Sequence, residues 1–349
     1  MTARHFPFFE FVGSSYDVGY GHGHALREGV HLQLKETLDG AQRSGLDRER
    51  ALAWSLAQLA KIEQVGGPGW TEELHGLAAG AGIPIAAAAA LQVRPGSGFM
   101  HQEACTSIGV SCDASATGVP LGAQNRDLVP AYRPRMCILL LRPSGRPSVL
   151  MHSVPGELGG VGINEYGVAL FANSLYPKSG RNWQAPPVTR RALLECRDAE
   201  SAAARAQGMD GPAVGSLLLV DAAGRIRNLE MLVGAVRVIA QDRGVFAHTN
   251  HCLDATLAAF EVNPLPSPGS RQRCERAASL LTAAGPITCD GLKRVLADHA
   301  SQPEPVCRHG EPPTRYETAS CLVAEPATRT LHLSYGPPCR GAFAMYALT

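Results

Sequence analysis

Cys105 is the residue whose type and surroundings carry the most chemistry. It follows Ala104, opens the segment Cys105-Thr106-Ser107, and is succeeded after a turn by Gln124-Asn125-Arg126-Asp127. A thiol inside a chain can attack the carbonyl just before it and move the acyl group from nitrogen to sulfur. Water then cuts the chain between Ala104 and Cys105. The new terminus carries a thiol nucleophile and an α-amino group whose reference pKa near ~8 lets it serve as base without a histidine.

Such a nucleophile needs a framework, and the 349 residues supply enough apolar material for one. With 45% hydrophobic and 18% charged residues, the chain reads as a soluble globular protein able to bury one large core or two ordinary ones. The net charge of +1, with Lys and Arg spread along the sequence, provides no basic face for nucleic acid. The start, Met1-Thr2-Ala3-Arg4-His5, leads straight into Phe6-Pro7-Phe8-Phe9, and no apolar run approaches membrane-spanning length. The expected address is the cytoplasm, with no membrane partner. Ten cysteines form no CxxC pair, so the others read as ordinary free thiols.

Residues 15–91 show helical spacing, with a glycine turn at Gly80-Ala81-Gly82 and an alanine run from Ala86 to Ala90. Pro95-Gly96-Ser97-Gly98 then reads as a flexible approach to the cleavage point. After Cys105 the texture becomes strand-like: 105–112, 119–125, 136–141, 148–153 and 168–173. One helix is expected over Val188–Ala206, strands over 215–220, 225–229, 235–240 and 245–249, helices near 271–282 and 290–300, and a final hairpin, 319–324 with 330–335. Strand blocks alternating with helix blocks predict a layered α+β arrangement. Asn164-Glu165-Tyr166-Gly167 reads as a turn between strands, and Asn173 ends the next strand, where it could line a pocket.

Three segments, in this order, resemble the acyl-coenzyme A:6-aminopenicillanic acid acyltransferase (isopenicillin N acyltransferase) family of the N-terminal nucleophile hydrolases. They are Val12 to Gly23, Cys105-Thr106-Ser107 with Gln124 to Asp127, and His248-Thr249-Asn250-His251. The resemblance implies a four-layer αββα sandwich, self-cleavage before Cys105, and amide hydrolysis or acyl transfer through a thioester. Residues 1–104 would become the small chain and 105–349 the catalytic chain, the two staying associated within one structural domain. Substrates would be small acyl amides or acyl-coenzyme A thioesters, and no cofactor or metal is required.

By the same resemblance Asn250 would donate to the developing oxyanion. Asp127 could hold the free ammonium or position a polar group near it; read without the family, it is a strand-end turn carboxylate, and Asn250 a turn or cap asparagine. Asn125, Arg126, Asn173 and Thr318 are the candidate substrate contacts. Two departures stand out. Ala104 occupies the family's usual glycine position, where a side chain hinders the strained geometry of the acyl shift. Arg126 replaces a tryptophan and would favour a carboxylate-bearing substrate.

Other features read as structural. His248 and His251 receive no catalytic part. Gly19-Tyr20-Gly21-His22-Gly23-His24 lacks the lysine of a phosphate loop and a third metal ligand, so its glycines are expected to permit close helix packing. The rival reading is an unprocessed family member acting as a binding or scaffold protein.

Overall fold

A computed structural model describes residues 4–96, 104–178, 185–211, 213–232, 234–262, 265, 267, 269–300, 303–310 and 315–349. The chain begins with β1 (Phe8–Gly13) and then six helices: α1 (Ser15–Ala25), α2 (Arg27–Arg43), α3 (Arg48–Ala57), α4 (Leu59–Gly66), α5 (Pro68–Ala81) and α6 (Ile85–Val93). Local chemistry sets their ends. Ser14 Oγ accepts from the Asp17 N–H while Asp17 returns the bond to the Ser14 N–H, a capping box that starts α1. Pro68 opens α5 and Gly82, at φ +69°, closes it. Of the stretch expected to approach the cleavage point, Ser97 and Gly98 lie outside the described residues.

β2 (Ala104–Val110), β3 (Leu121–Leu128), β4 (Cys137–Pro143), β5 (Val149–Ser153), β6 (Val161–Asn164) and β7 (Ala169–Asn173) follow. Next come α7 (Pro186–Leu194), α8 (Ala199–Gln207), β8 (Gly215–Val220), β9 (Ile226–Leu232), β10 (Ala235–Gln241) and β11 (Val245–His248). α9 (Ala255–Ala258), α10 (Ser270–Ala283), α11 (Cys289–Leu296), β12 (Glu317–Glu325), β13 (Thr330–Tyr335) and β14 (Phe343–Ala347) complete the chain. The single helix expected over Val188–Ala206 is two. Asn164 Nδ2 donates to the carbonyls of Leu194 and Cys196 and ends α7, and Asp198 with Ser201 forms the capping box that starts α8.

The strands form two sheets, one of eight in the order β1-β4-β5-β6-β7-β8-β9-β10 and one of six in the order β11-β2-β3-β12-β13-β14. They face one another across a core that includes Leu140, Leu150, Phe171, Leu218 and Leu322. Helices α7 and α8 cover the outer face of the eight-stranded sheet, and α10 and α11 the outer face of the six-stranded one. This is the expected four-layer αββα sandwich of N-terminal nucleophile hydrolase type.

Strand parity decides what each residue near Cys105 can reach. Ile108 and Val110 of β2 pack with Leu292 and Leu296 of α11, so even positions of β2 face the helices. Odd positions face the other sheet: Ser107 donates to Asn173 of β7, and a Cβ on Gly109 would meet Ile226 of β9. In β3 the sense is reversed, with Leu121 and Ala123 toward the helices and Gln124 donating across the sandwich to the Ala172 carbonyl.

Residues 1–104 are interleaved with the rest. β1 pairs in parallel with β4 and forms an edge of the larger sheet. Gln92 donates to the Gly156 carbonyl at 2.7 Å and accepts from the Leu158 N–H at 2.9 Å. Glu73 of α5 lies in a buried ion-pair network, 3.0 Å from Arg146 and 3.3 Å from the fully buried Arg191, both of which also reach Glu195. The glycines of α1 do what the sequence suggested: a Cβ on Gly19 or Gly23 would run into the Glu73 or Leu77 carbonyl of α5. Among the described residues no single helix is long and apolar enough to cross a membrane.

Candidate active site

Cys105 lies in β2 opposite Arg126 of β3, and Ala104 lies opposite Asp127. By parity the Cys105 side chain shares the inter-sheet face with Ser107 and Arg126, while Ala104, Thr106 and Asp127 face the helix layer. Cys105 is 1% exposed and Ala104 is fully buried, so the junction is sealed in the continuous chain. Ala104 carries no positive φ: Arg94 and Arg329 are the non-glycine residues with that conformation among those described. Ordinary extended backbone accommodates its methyl group.

The backbone of Cys105 is gripped on both sides. Its N–H donates to Asn250 Oδ1 at 2.8 Å, and its carbonyl accepts from Arg273 Nη1 at 2.7 Å. Arg273 also donates to Thr106 Oγ1 at 3.0 Å, Asn250 Oδ1 at 3.0 Å and Ser267 Oγ at 3.2 Å. Burial, reinforced by the neighbouring charge of Arg308, brings the Arg273 pKa down to about 10, which leaves it charged at neutral pH.

Asn250 sits in the turn after β11, and three supports hold that turn. Ser270 Oγ accepts the Asn250 N–H at 2.9 Å, Asn250 Nδ2 donates to the Ser174 carbonyl at 3.1 Å, and Glu230 of β9 accepts the N–H groups of Leu253 and Asp254. Glu230 also meets His248 Nε2 at 2.8 Å. Burial pushes the Glu230 carboxyl up, but the bond to His248, its charge and the two backbone amides together hold it below its ordinary value. His251 is brought down to about 4 by burial and by the charges of His248 and Arg271, so it is neutral at pH 7, with Nδ1 2.8 Å from Ser270 Oγ.

Asp127 is fully buried. Thr318 Oγ1 donates to its Oδ1 at 2.8 Å, and Arg308 Nε lies 3.5 Å from its Oδ2. Burial pushes the carboxyl above its ordinary range, opposed by Arg308, Arg273 and the Thr318 bond. Thr318 therefore reaches the site through Asp127. Asn125, one of the expected substrate contacts, faces the helix layer, where Nδ2 donates to the carbonyls of Leu296 at 2.8 Å and Val306 at 2.9 Å. That position ties the end of α11 and the stretch before β12 to β3. Arg126 lies toward the eight-stranded sheet, with Nη1 3.2 Å from His152 Nδ1. Asn173 is on the same inner face, accepting from Ser107 Oγ at 2.6 Å.

The structure thus gathers Cys105, Asn250, Arg126 and Asn173 around one strand end, with Asp127 and Thr318 beneath it. Arg273 and Arg308 were missed in the sequence. Arg273 did leave a signal: Ser270, Arg273, Ala277 and Leu281 are the buried positions of α10, so a cation interrupts an apolar stripe. Beside Asn250 a cleft of about 580 Å³ is lined by Lys178, Glu261, Ser267, Ser270 and Arg271 among others.

A buried cysteine heading a strand of an αββα sandwich, with its backbone held by an asparagine and an arginine, defines a candidate nucleophile of the N-terminal type. The description "Acyl-coenzyme A:6-aminopenicillanic acid acyl-transferase" matches residues 116–339, and the chain belongs to that family. A curated relative from Emericella nidulans, the acyl-coenzyme A:6-aminopenicillanic-acid-acyltransferase 40 kDa form, is 26% identical over 337 residues, covering 93% of this chain and 91% of the relative. Conjugated bile acid hydrolase from Clostridium perfringens superposes with a TM-score of 0.50 at 12% identity, covering 70% of this chain and 92% of that one; this likeness bears on the fold alone. Penicillin V acylase from Agrobacterium tumefaciens gives a TM-score of 0.44 at 14% identity, covering 66% and 82%.

Proposed function

We propose that this protein is a self-processing cysteine amidohydrolase or acyltransferase that works through a thioester on Cys105. The observation that carries the reading is the double grip on the Cys105 backbone by Asn250 and Arg273. Cleavage between Ala104 and Cys105 would convert the gripped N–H into an amine still held against Asn250 Oδ1, beside its own thiol. That amine takes the thiol proton as sulfur attacks an acyl carbonyl and returns it to the leaving amine or thiol. Water or an acceptor amine then releases the acyl group.

Asn250 uses one Nδ2 hydrogen on Ser174; the other suits an oxyanion. Asp127, set against Arg308 and Arg273 below the strand, is the candidate for fixing the charge balance under the new ammonium. Arg126 on the inner face and Arg271 and Lys178 in the neighbouring cleft favour an acyl amide or acyl-coenzyme A thioester carrying an anionic group. Residues 1–104 would persist as the small chain.

The test is an acyl-enzyme trap. Acid-quenched protein incubated with a panel of acyl amides and acyl-coenzyme A compounds should gain one acyl mass on the peptide starting at Cys105, lost on hydroxylamine treatment. Turnover of an amide with no adduct, under quench conditions that preserve a thioester standard, overturns the proposal.

A further inference from the structure

Four side chains with metal-binding atoms converge from three separate segments. His299 follows α11, Cys307 and His309 flank Arg308 in the stretch leading to β12, and Cys339 lies in the 3-10 turn Pro338–Arg340 between β13 and β14. One ligand atom from each falls within 4.8 Å of all the others. His309 Nε2 is 2.9 Å from His299 Nε2, 3.4 Å from Cys339 Sγ and 3.9 Å from Cys307 Sγ. A tetrahedral Zn²⁺, with bonds near 2.0–2.1 Å to nitrogen and 2.3 Å to sulfur, holds its donors about 3.3–3.8 Å apart. Two imidazoles and two thiols are the donor set of a closed zinc site, and the four donors include no carboxylate, which disfavours Mg²⁺ or Ca²⁺.

We propose that His299, Cys307, His309 and Cys339 bind one Zn²⁺ ion in a structural site. Binding releases the two thiol protons to solvent, and the two thiolates neutralise the dication, which matters because Cys307 is buried. This departs from the sequence expectation of no metal, since donors at 299, 307, 309 and 339 form no local motif.

The position gives the ion a task. Arg308 donates its N–H to Thr318 Oγ1 and accepts the Thr318 N–H, and His309 bridges to Glu317. Cys307 and His309 stand on either side of the residue whose guanidinium faces Asp127. An ion there ties the end of α11 and the Pro338–Arg340 turn to that short stretch, so it is a positioning device for Arg308 and takes no part in bond making. A second grouping, Cys289, Glu325 and His332, offers three donors only. There the Lys293 ammonium is drawn to Cys289, and His332 Nε2 already lies 2.6 Å from Glu325. A cation would meet a cation, and that cluster serves as the control.

The test uses the full chain, purified under reducing conditions, stripped with a chelator and titrated with Co²⁺, then with Zn²⁺. The site predicts one equivalent of Co²⁺, tetrahedral ligand-field bands and a thiolate-to-cobalt charge-transfer band, all lost when one equivalent of Zn²⁺ is added. Cys339→Ser should lose or shift the charge-transfer band, and Cys289→Ser should leave it unchanged. Zn²⁺ should also raise the thermal midpoint of the stripped wild type but not of Cys339→Ser. No charge-transfer band in the reduced wild type overturns the proposal whatever the variants do. So does a band lost in Cys289→Ser and kept in Cys339→Ser.

Discussion

The backbone N–H of Cys105 donates to Asn250 Oδ1 at 2.8 Å, although 145 residues separate the two. The same amide group donates through Nδ2 to the Ser174 carbonyl, so one side chain holds the nitrogen that would become the base and, on the proposed mechanism, would give its second hydrogen to the reacting carbonyl. Asn250→Ala should therefore slow processing and, in whatever fraction matures, lower kcat by about 10²- to 10³-fold with a smaller change in KM. Steady-state kinetics on the matured fraction checks this. A kcat unchanged beyond a few-fold would remove Asn250 from the chemistry.

Arg273 is the buried cation that completes the grip. Arg273→Met would strip donors from Cys105, Thr106, Asn250 and Ser267 together and leave Asp127 with less positive charge nearby. A loss of about 3–5 kcal/mol in denaturant unfolding is expected, the range for breaking a buried charged network. Arg273→Lys keeps the charge but cannot span Cys105 and Asn250, so it should recover part of the stability and little of the processing rate.

Processing should not separate the chains. β1 in the larger sheet, Gln92 against Gly156 and Leu158, and the Glu73–Arg146–Arg191 network all cross the cut. Size exclusion without denaturant should return fragments 1–104 and 105–349 in one peak, resolved only by denaturing electrophoresis. Elution as two species would contradict this packing.

His22 is a source of acid sensitivity. It is buried in α1 and accepts the Gly156 N–H on Nε2 at 2.9 Å; burial, with the charge of Arg191, brings its pKa down from 6.5 to about 4. As pH falls below 6.5 the unfolded chain takes up a proton that the folded chain refuses until about pH 4, so stability is lost across that window, on the order of 3 kcal/mol. His22→Gln keeps an acceptor without a proton to gain. Its stability deficit in urea should shrink between pH 7.5 and pH 4.5; a deficit independent of pH would show that His22 does not titrate on unfolding.

Much of the sandwich was legible because its interior strands are short apolar runs between turns, and close helix packing at Gly19 and Gly23 was legible from the glycine-rich string, though not that α5 is the partner. β1 was not, because an edge strand beside Pro7 buries neither face continuously. The break between α7 and α8 was hidden because Asn164, on a distant strand, ends the first helix. At the candidate site, Cys105, Asp127 and Asn250 were singled out through motif order, whereas Asn125 was read as a substrate contact because its neighbours are chemical, while its own parity points it to the helix layer. Arg308 left no trace: its value comes from the fold bringing a loop against β3.

Self-cleavage of the chain before Cys105 is read directly from intact mass. Freshly purified wild type should resolve under denaturing conditions into masses for residues 1–104 and 105–349, the larger beginning at Cys105, while Cys105→Ala remains a single chain of 349 residues. A wild-type preparation that turns over amides with the Ala104–Cys105 bond intact would contradict the account.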